Sequence, residues 1–489
     1  MKKIILIFFL FIVATHLSAN SYFQQSVHYK IKIVLNVKDK TYNGQEQLTY
    51  HNNSPDTLRY IWMHLYPNAF KTDRTAYARQ QASFGNRRYH FSKKEDRGYL
   101  NLTSVKQEGM DLTWKAKGDS IDEVKILLAR PVLPGDSIKL DLKFEAKFPK
   151  VFSRIGYFDE KYFAGTQWYP KVVVYDRRGW PPDSYLDLGE FYGEYGSFDV
   201  EITLPRSYVI DATGMLQDNP QEEAFMRQLA DTTRYFLSLS KKERKRFIKR
   251  WLKSKLNDID YDDTKTVRFV ANNVHNFAWF AGPAYMLLRK VHNNGVLTNV
   301  LVTPKYAYAW RHVPEYVEKT VAFYGAHVGP YQYPKASVVD GALKAGGGME
   351  YPMITIISFP GQEWSNFLEM AVMHEVGHNW FMGMLGSDER ACTFLDEGMN
   401  SFLEYKYMEH YHGRYNLTNF KKLFHGFDLL HDLGERDVIQ LSYGIKLDLR
   451  ADQPMDLRAE KYTRGNYAAV NYHKGIAMLL ALEWYLTPP

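Results

Sequence analysis

Apolar and polar residues alternate along the first half of the chain with a period of two. Val27, Tyr29, Ile31, Ile33, Leu35 and Val37 are separated mostly by polar residues, the pattern of a strand with one buried face. The pattern returns at Ile138, Leu140, Leu142 and Phe144, after the turn residues Pro134-Gly135-Asp136, and again at Phe198, Val200, Ile202 and Leu204. These segments predict antiparallel sheet over residues 20–285, with a charged helical insertion at about 217–263. Inside the insertion, Lys241 to Lys255 holds nine Lys/Arg against the single acid Glu243, with Phe247, Trp251 and Leu252 as one apolar stripe. That reads as a solvated helix. Helical periodicity dominates after about residue 310 and is clearest from Trp364 to Met384.

Composition narrows the class. The 489 residues are 45% hydrophobic and 24% charged, which excludes a disordered or collagen-like chain. Lys+Arg 62 against Asp+Glu 55 leaves a net charge of +7, too modest to argue for nucleic acid. One cysteine, Cys392, excludes a disulfide framework. Met1-Lys2-Lys3, the apolar run Ile4 to Ala14 and the small residues of Leu17-Ser18-Ala19 read as a signal peptide over residues 1–19. No later run approaches the roughly 18 apolar residues of a membrane span. The expected product is exported, to the periplasm or outside the cell, with no stable membrane span once the leader is removed. Residues 20–287 are expected to form a β-rich N-terminal domain and residues 288–489 a catalytic one.

The chemistry lies in the second half. His374-Glu375-Val376-Gly377-His378 is H-E-x-x-H in a predicted helix, where a spacing of four puts both imidazoles on one face. Glu375 is placed beside them to take a proton from an attacking water. A catalytic zinc needs a third protein ligand. Glu397 lies 19 residues beyond His378, and a helix, a turn and a second helix would return it to the ion. Position 384 is Met, where one competing pattern needs a third histidine, and position 401 is Ser, where another needs an aspartate. Cys392 is expected to be a buried structural thiol, and Gly377 to mark close helix packing.

Glu397 at this spacing, Gly347-Gly348-Met349-Glu350 upstream and Tyr472-His473-Lys474-Gly475 downstream together resemble the aminopeptidase N and leukotriene hydrolase family of zinc metallopeptidases. The resemblance implies an α+β multidomain fold. A saddle-shaped antiparallel β domain would be followed by a thermolysin-like, mainly helical catalytic domain, truncated at its C-terminus, with the family's usual C-terminal helical domain absent from this chain. It implies one Zn2+ per chain on His374, His378 and Glu397, with Glu375 as general base. Tyr472 would be the oxyanion donor and Glu350 the anchor for a substrate's free amino terminus. Gly347, Gly348 and Met349 would let the peptide lie alongside as an extended edge, and Gln167, in Thr166-Gln167-Trp168-Tyr169-Pro170, would touch the amine. The implied activity is that of an exported aminopeptidase acting on peptides with a free N-terminus. An endopeptidase, an epoxide hydrolase or a non-catalytic binding protein on the same scaffold stay open. The sequence departs from the family pattern at Tyr351 and Pro352, at Gly383 after Met382, at Phe394 and at Asp396. None of these is a ligand or catalytic position, but they alter the substrate pocket.

Overall fold

The alternation at the start of the chain becomes the spine of an eight-stranded sheet. The computed structural model describes residues 22–414, 416–419, 423 and 432–487; the leader expected at residues 1–19 lies outside them. Strands β1 (Ser26–Asn36), β2 (Thr41–His51), β3 (Tyr99–Gln107), β4 (Ser137–Lys147) and β5 (Gly196–Pro205) form the sheet together with β7 (Thr264–Val274), which follows the short β6 (Val209–Ala212). The order is Met215–Leu216, β7, β5, β1, β2, β4, β3, Met110–Asp111. The expected apolar sets of β1, β4 and β5 all face one buried side. The sheet departs from expectation at one seam: β1 pairs in parallel with β5. Antiparallel neighbours can be joined by a tight turn, whereas β5 returns only after the excursion through residues 148–195, and so long a crossover leaves either direction open. Two four-stranded sheets, one containing β6, pack against the first.

Two helices fill the charged insertion. α1 (Pro220–Ser238) starts at Asn219, whose side chain accepts from Glu222 N, and α2 (Lys241–Asn257) starts at Ser240 with a reciprocal capping box to Glu243. The second half of the chain opens with a five-stranded sheet of β8 (Met286–Val291), β9 (Leu297–Val302), β10 (Ser337–Asp340), β11 (Gly348–Met349) and β12 (Ile354–Ile357), in the order β8-β9-β10-β12-β11. Helices α3 (Val313–His327), α4 (Phe367–Gly377) and α5 (Met399–His412) pack on this sheet around Trp310, Tyr324 and Trp380, and α6 (Gly475–Leu486) packs against α5. Among the described residues no helix is long and apolar enough to cross a membrane.

Two local expectations need correction. The helix read from Trp364 to Met384 runs only from Phe367 to Gly377. After it Asn379 N and Trp380 N bond three residues back, to Val376 O and Gly377 O, and Met382 takes φ +120°, so the chain turns away. The apolar residues beyond the helix end extend the periodicity because Trp380 and Met382 are buried in the turn itself. Cys392 is exposed, not buried, because its neighbours Thr393, Asp396 and Glu397 take the inward positions.

The N-terminal sheets and the five-stranded sheet meet at a buried ion pair. Lys335 Nζ lies 2.8 Å from Asp211 Oδ1, with side-chain exposures of 2% and 3%. Asp211 on β6 also accepts from Asn299 Nδ2 on β9 at 3.1 Å and from Ser337 Oγ on β10 at 2.7 Å. Removing one partner of such a pair strands the other charge in an apolar setting. Asp211→Ala is therefore expected to destabilise the fold by about 3–5 kcal/mol in urea denaturation. Asp211→Leu combined with Lys335→Met, which leaves no charge behind, is expected to cost less than the single change.

Candidate metal centre

α4 is buried around almost its whole circumference, so its histidines project into protein and not into bulk water. His374 sits in its last turn and His378 caps its C-terminus. α5 runs back beside α4, preceded by a wide π-type turn, Phe394–Gly398, that carries Asp396 and Glu397. A side chain on Gly377 would meet Tyr324 Oη at 2.2 Å and Asn400 Oδ1 at 2.3 Å, so only glycine lets α4 and α5 come this close. The contact is then sealed by hydrogen bonds: Asn400 Nδ2 donates to His374 O at 2.8 Å, and Tyr324 Oη donates to Asn400 Oδ1.

Three ligand atoms converge there. His374 Nε2 and His378 Nε2 are 3.1 Å apart. Glu397 Oε2 lies 3.2 Å from the first and 3.4 Å from the second. A tetrahedral zinc with bonds of about 2.0–2.1 Å would place its ligand atoms about 3.3–3.4 Å apart. The donors fit that ion and leave its fourth side to the cleft. Glu350, His378 and Asp396 also gather within 4.8 Å. Asp396 Oδ1 stands 2.6 Å from His378 Nδ1, however, which is a hydrogen bond and too short an edge for two ligands of one ion.

The far nitrogens are held by carboxylates. Asp396 accepts from His378 Nδ1, and Glu404 Oε2 lies 2.8 Å from His374 Nδ1. Such partners fix the tautomer that presents Nε2 to a metal and make the imidazole a better donor. Burial disfavours charge on His374, but Glu404 and Glu397 more than offset it and carry its pKa up to about 10. Burial likewise opposes charge on Glu397, which the two histidines nevertheless hold well below the usual carboxylate range. Positive charge is favoured where the three atoms meet.

The triangle lines a cleft of about 440 Å³ with Glu350, Glu375, Tyr472 and Arg154. Glu375 is 7% exposed, and its Oε2 has no hydrogen bond among the described residues. Burial pushes its carboxyl up to about 7, against the pull of the two histidines. Tyr472, on a second π-type turn (Ala469–Lys474), donates its hydroxyl hydrogen to Glu397 Oε1. Gly347, Gly348 and Met349 border the cleft, and Gly348-Met349 is edge strand β11, hydrogen-bonded to β12 on one side only. A side chain on Gly348 would strike Glu375 Oε1 at 2.2 Å. Glu350 ends that strand, 6% exposed, with no hydrogen bond or ion pair to its carboxylate among the described residues, and burial holds its pKa well above the usual range.

Gln167 is the outlier of the expected set. It does not border the cleft. Its Oε1 accepts from Tyr351 Oη at 3.3 Å, and it walls a void of about 10 Å³ behind Glu350 together with Glu190 and Glu389. Sequence reasoning missed Asp396, Glu404 and Asn400. Asp396 was visible only as a departure from a family pattern, although a carboxylate beside a ligating residue is what a histidine ligand needs. Glu404 stands seven residues after Glu397, two turns along the same helical direction.

Residues 315–489 match the Peptidase family M1 domain. No curated protein matches the chain. Among solved structures, the M1 zinc metallopeptidase from Deinococcus radiodurans is similar at 15% identity, with a TM-score of 0.55 over 95% of this chain and 84% of that one. A mutant of it bound to a Tyr-Ser-Ala substrate is similar at 15% identity and a TM-score of 0.54, again over 95% and 84%. A two-domain M1 zinc metallopeptidase mutant bound to L-tryptophan gives the same values.

The second-layer carboxylates yield a direct test. Asp396→Ala is expected to weaken zinc binding by about 10–100-fold, read by competition with a chromogenic chelator. The matched segment contains the whole ligand triangle, so residues 315–489 form a zinc metallopeptidase domain of family M1.

Proposed function

We propose that this enzyme is an exported aminopeptidase that removes the N-terminal residue of peptides. The observation that carries the reading is Glu350, a buried carboxylate without a partner, one residue past an edge strand that borders the metal triangle. A carboxylate buried without a cation is costly. The α-ammonium of a peptide is a cation of the right size to meet it. An extended peptide adding to the free edge of β11 would bring its first peptide bond, and no later one, to the triangle. The leader-like residues 1–19 support export to the periplasm or beyond. The tripeptide bound by a structural neighbour supports a peptide substrate.

One zinc ion, held by His374, His378 and Glu397, would supply Lewis acidity at the scissile carbonyl and to the attacking water. Glu375 takes the proton of that water and then delivers it to the departing amine nitrogen. Tyr472 turns its hydroxyl from Glu397 Oε1 to the carbonyl oxygen as negative charge develops there. Glu350 fixes the ammonium, which sets the register and restricts attack to the first bond. Gln167, through its contact with Tyr351, supports the residue that follows Glu350, and its amide faces the same void as that carboxylate.

The deciding experiment offers one short peptide with a free and with an acetylated N-terminus to the zinc-loaded enzyme. Stepwise trimming of the free form alone is expected; cleavage of both would overturn the exopeptidase reading. Glu375→Gln is expected to keep its zinc while kcat falls by about 10²–10⁴-fold. Tyr472→Phe is expected to lower kcat by about 10²–10³-fold with little change in KM.

A further inference from the structure

Without α2 the charge of this protein changes sign. The chain carries 62 Lys+Arg and 55 Asp+Glu, for a net of +7. Nine of those cations and one acid lie in α2, a net of +8, which leaves 53 against 54 elsewhere, a net of −1. The excess is also laid out in space. Lys242, Lys245, Arg246, Lys249, Arg250 and Lys253 recur at three- and four-residue steps, so they share one face, and all six are exposed. The row is about 16 Å long at about 1.5 Å per residue.

The fold makes no use of this face. Among the described residues none of the nine cations forms an ion pair, although Arg234, Lys265 and Arg268 nearby all do. Arg244 and Lys255 lie 3.5 Å and 5.0 Å from the ring centres of Tyr308 and Trp251, and Arg246 faces Glu243 of its own helix. The helix is docked by its opposite side, where Phe247 and Ile248 join one core cluster and Trp251 and Leu252 another, and Trp251 Nε1 donates to Ala284 O at 3.0 Å. Like charges four residues apart, as at Lys242 and Arg246 or Lys249 and Lys253, destabilise a helix. The stripe opposes its own helix, so its use lies outside the molecule.

We propose that α2 seats the protein on an anionic lipid surface, with its six-cation stripe against phosphate headgroups. A groove of about 570 Å³ beside the stripe is lined by Tyr235 and Leu239 from the end of α1 and by Arg246, Lys249 and Arg250, with Glu243 as its one acid, held by the Ser240 capping box. Tyr235 is 60% exposed there. An aromatic with a polar tip, next to an aliphatic residue and three cations, matches the boundary between headgroup and acyl chain. That composition favours a lipid surface over nucleic acid. The apolar side of α2 is committed to the core, so the helix lies on the surface without inserting, and attachment is electrostatic and reversible. The charges outside α2 sum to −1, so the attraction comes chiefly from this face.

Sedimentation of the purified protein from residue 20 onward, without the leader-like residues 1–19, with vesicles tests this. Phosphatidylcholine vesicles serve as the neutral surface, and phosphatidylcholine mixed with phosphatidylglycerol as the anionic one. Binding to the anionic vesicles alone is expected at about 0.01 M salt, with release at about 1 M, where the Debye length falls from about 30 Å to about 3 Å. The variant Lys242→Gln, Lys245→Gln, Lys249→Gln and Lys253→Gln is expected to bind at least about tenfold more weakly. Unchanged thermal unfolding and unchanged peptide hydrolysis would show that the fold and the metal site are intact. Equal binding by this variant, binding to neutral vesicles, or no vesicle binding by the parent would overturn the proposal. So would capture by duplex DNA at a salt concentration that leaves the vesicles free.

Discussion

The site depends on how closely two helices can pass. α4 carries His374 and is capped by His378, and α5 begins just after Glu397, so the triangle closes only if the two helices pack closely at Gly377. The space a methyl group would take holds Tyr324 Oη and Asn400 Oδ1, and Asn400 then fastens the carbonyl of His374 itself. Spacing in the sequence supplies the ligands. The missing side chain supplies the distance.

Around that contact the protein gathers more buried carboxyl groups than it pairs with cations. Glu190, Glu350, Glu375, Glu389, Asp396 and Glu397 are all buried, and among the described residues Arg154 makes the one ion pair from an arginine or lysine to any of them, with Glu190 at 2.9 Å. Burial raises the carboxyl pKa of each except Glu397, which its histidines hold down. On the proposed reading a divalent cation would sit at the histidines and an ammonium at Glu350. The same carboxylates would repel an acidic ligand, so the chemistry of the cleft excludes as well as attracts.

Much of this could be read from the chain. Alternation over β1, β4 and β5 marked the buried faces correctly because each strand has one wet side. The two histidines could be paired because helix geometry converts a spacing of four into proximity. Other features depend on long-range contact and carry no local signal. Nothing near Ser26 reveals that β1 will pair in parallel with a strand about 170 residues away. The end of α4 at Gly377 is set by Trp380 packing on Tyr324 and Tyr331, which no window around the helix contains. Asp396 looked like a deviation until His378 Nδ1 was seen against it. Cys392 was misjudged because thiols are usually buried, while the wide turn that follows it points its other side chains inward.

That wide turn has a twin. Glu397 and Tyr472 each sit on a π-type turn, and the two turns touch through glycines: a Cβ on Gly475 would lie 3.0 Å from the Cα of Gly398. The Phe394 ring packs against both glycines, so the two turns are held at one small, crowded contact. If a bound peptide drew the Tyr472 hydroxyl away from Glu397, as the proposed mechanism requires, that carboxylate would lose a donor and become the stronger base toward a cation. On that mechanism peptide affinity and metal affinity would be linked through one phenol, and linkage of this kind is reciprocal: whatever tightens one must tighten the other.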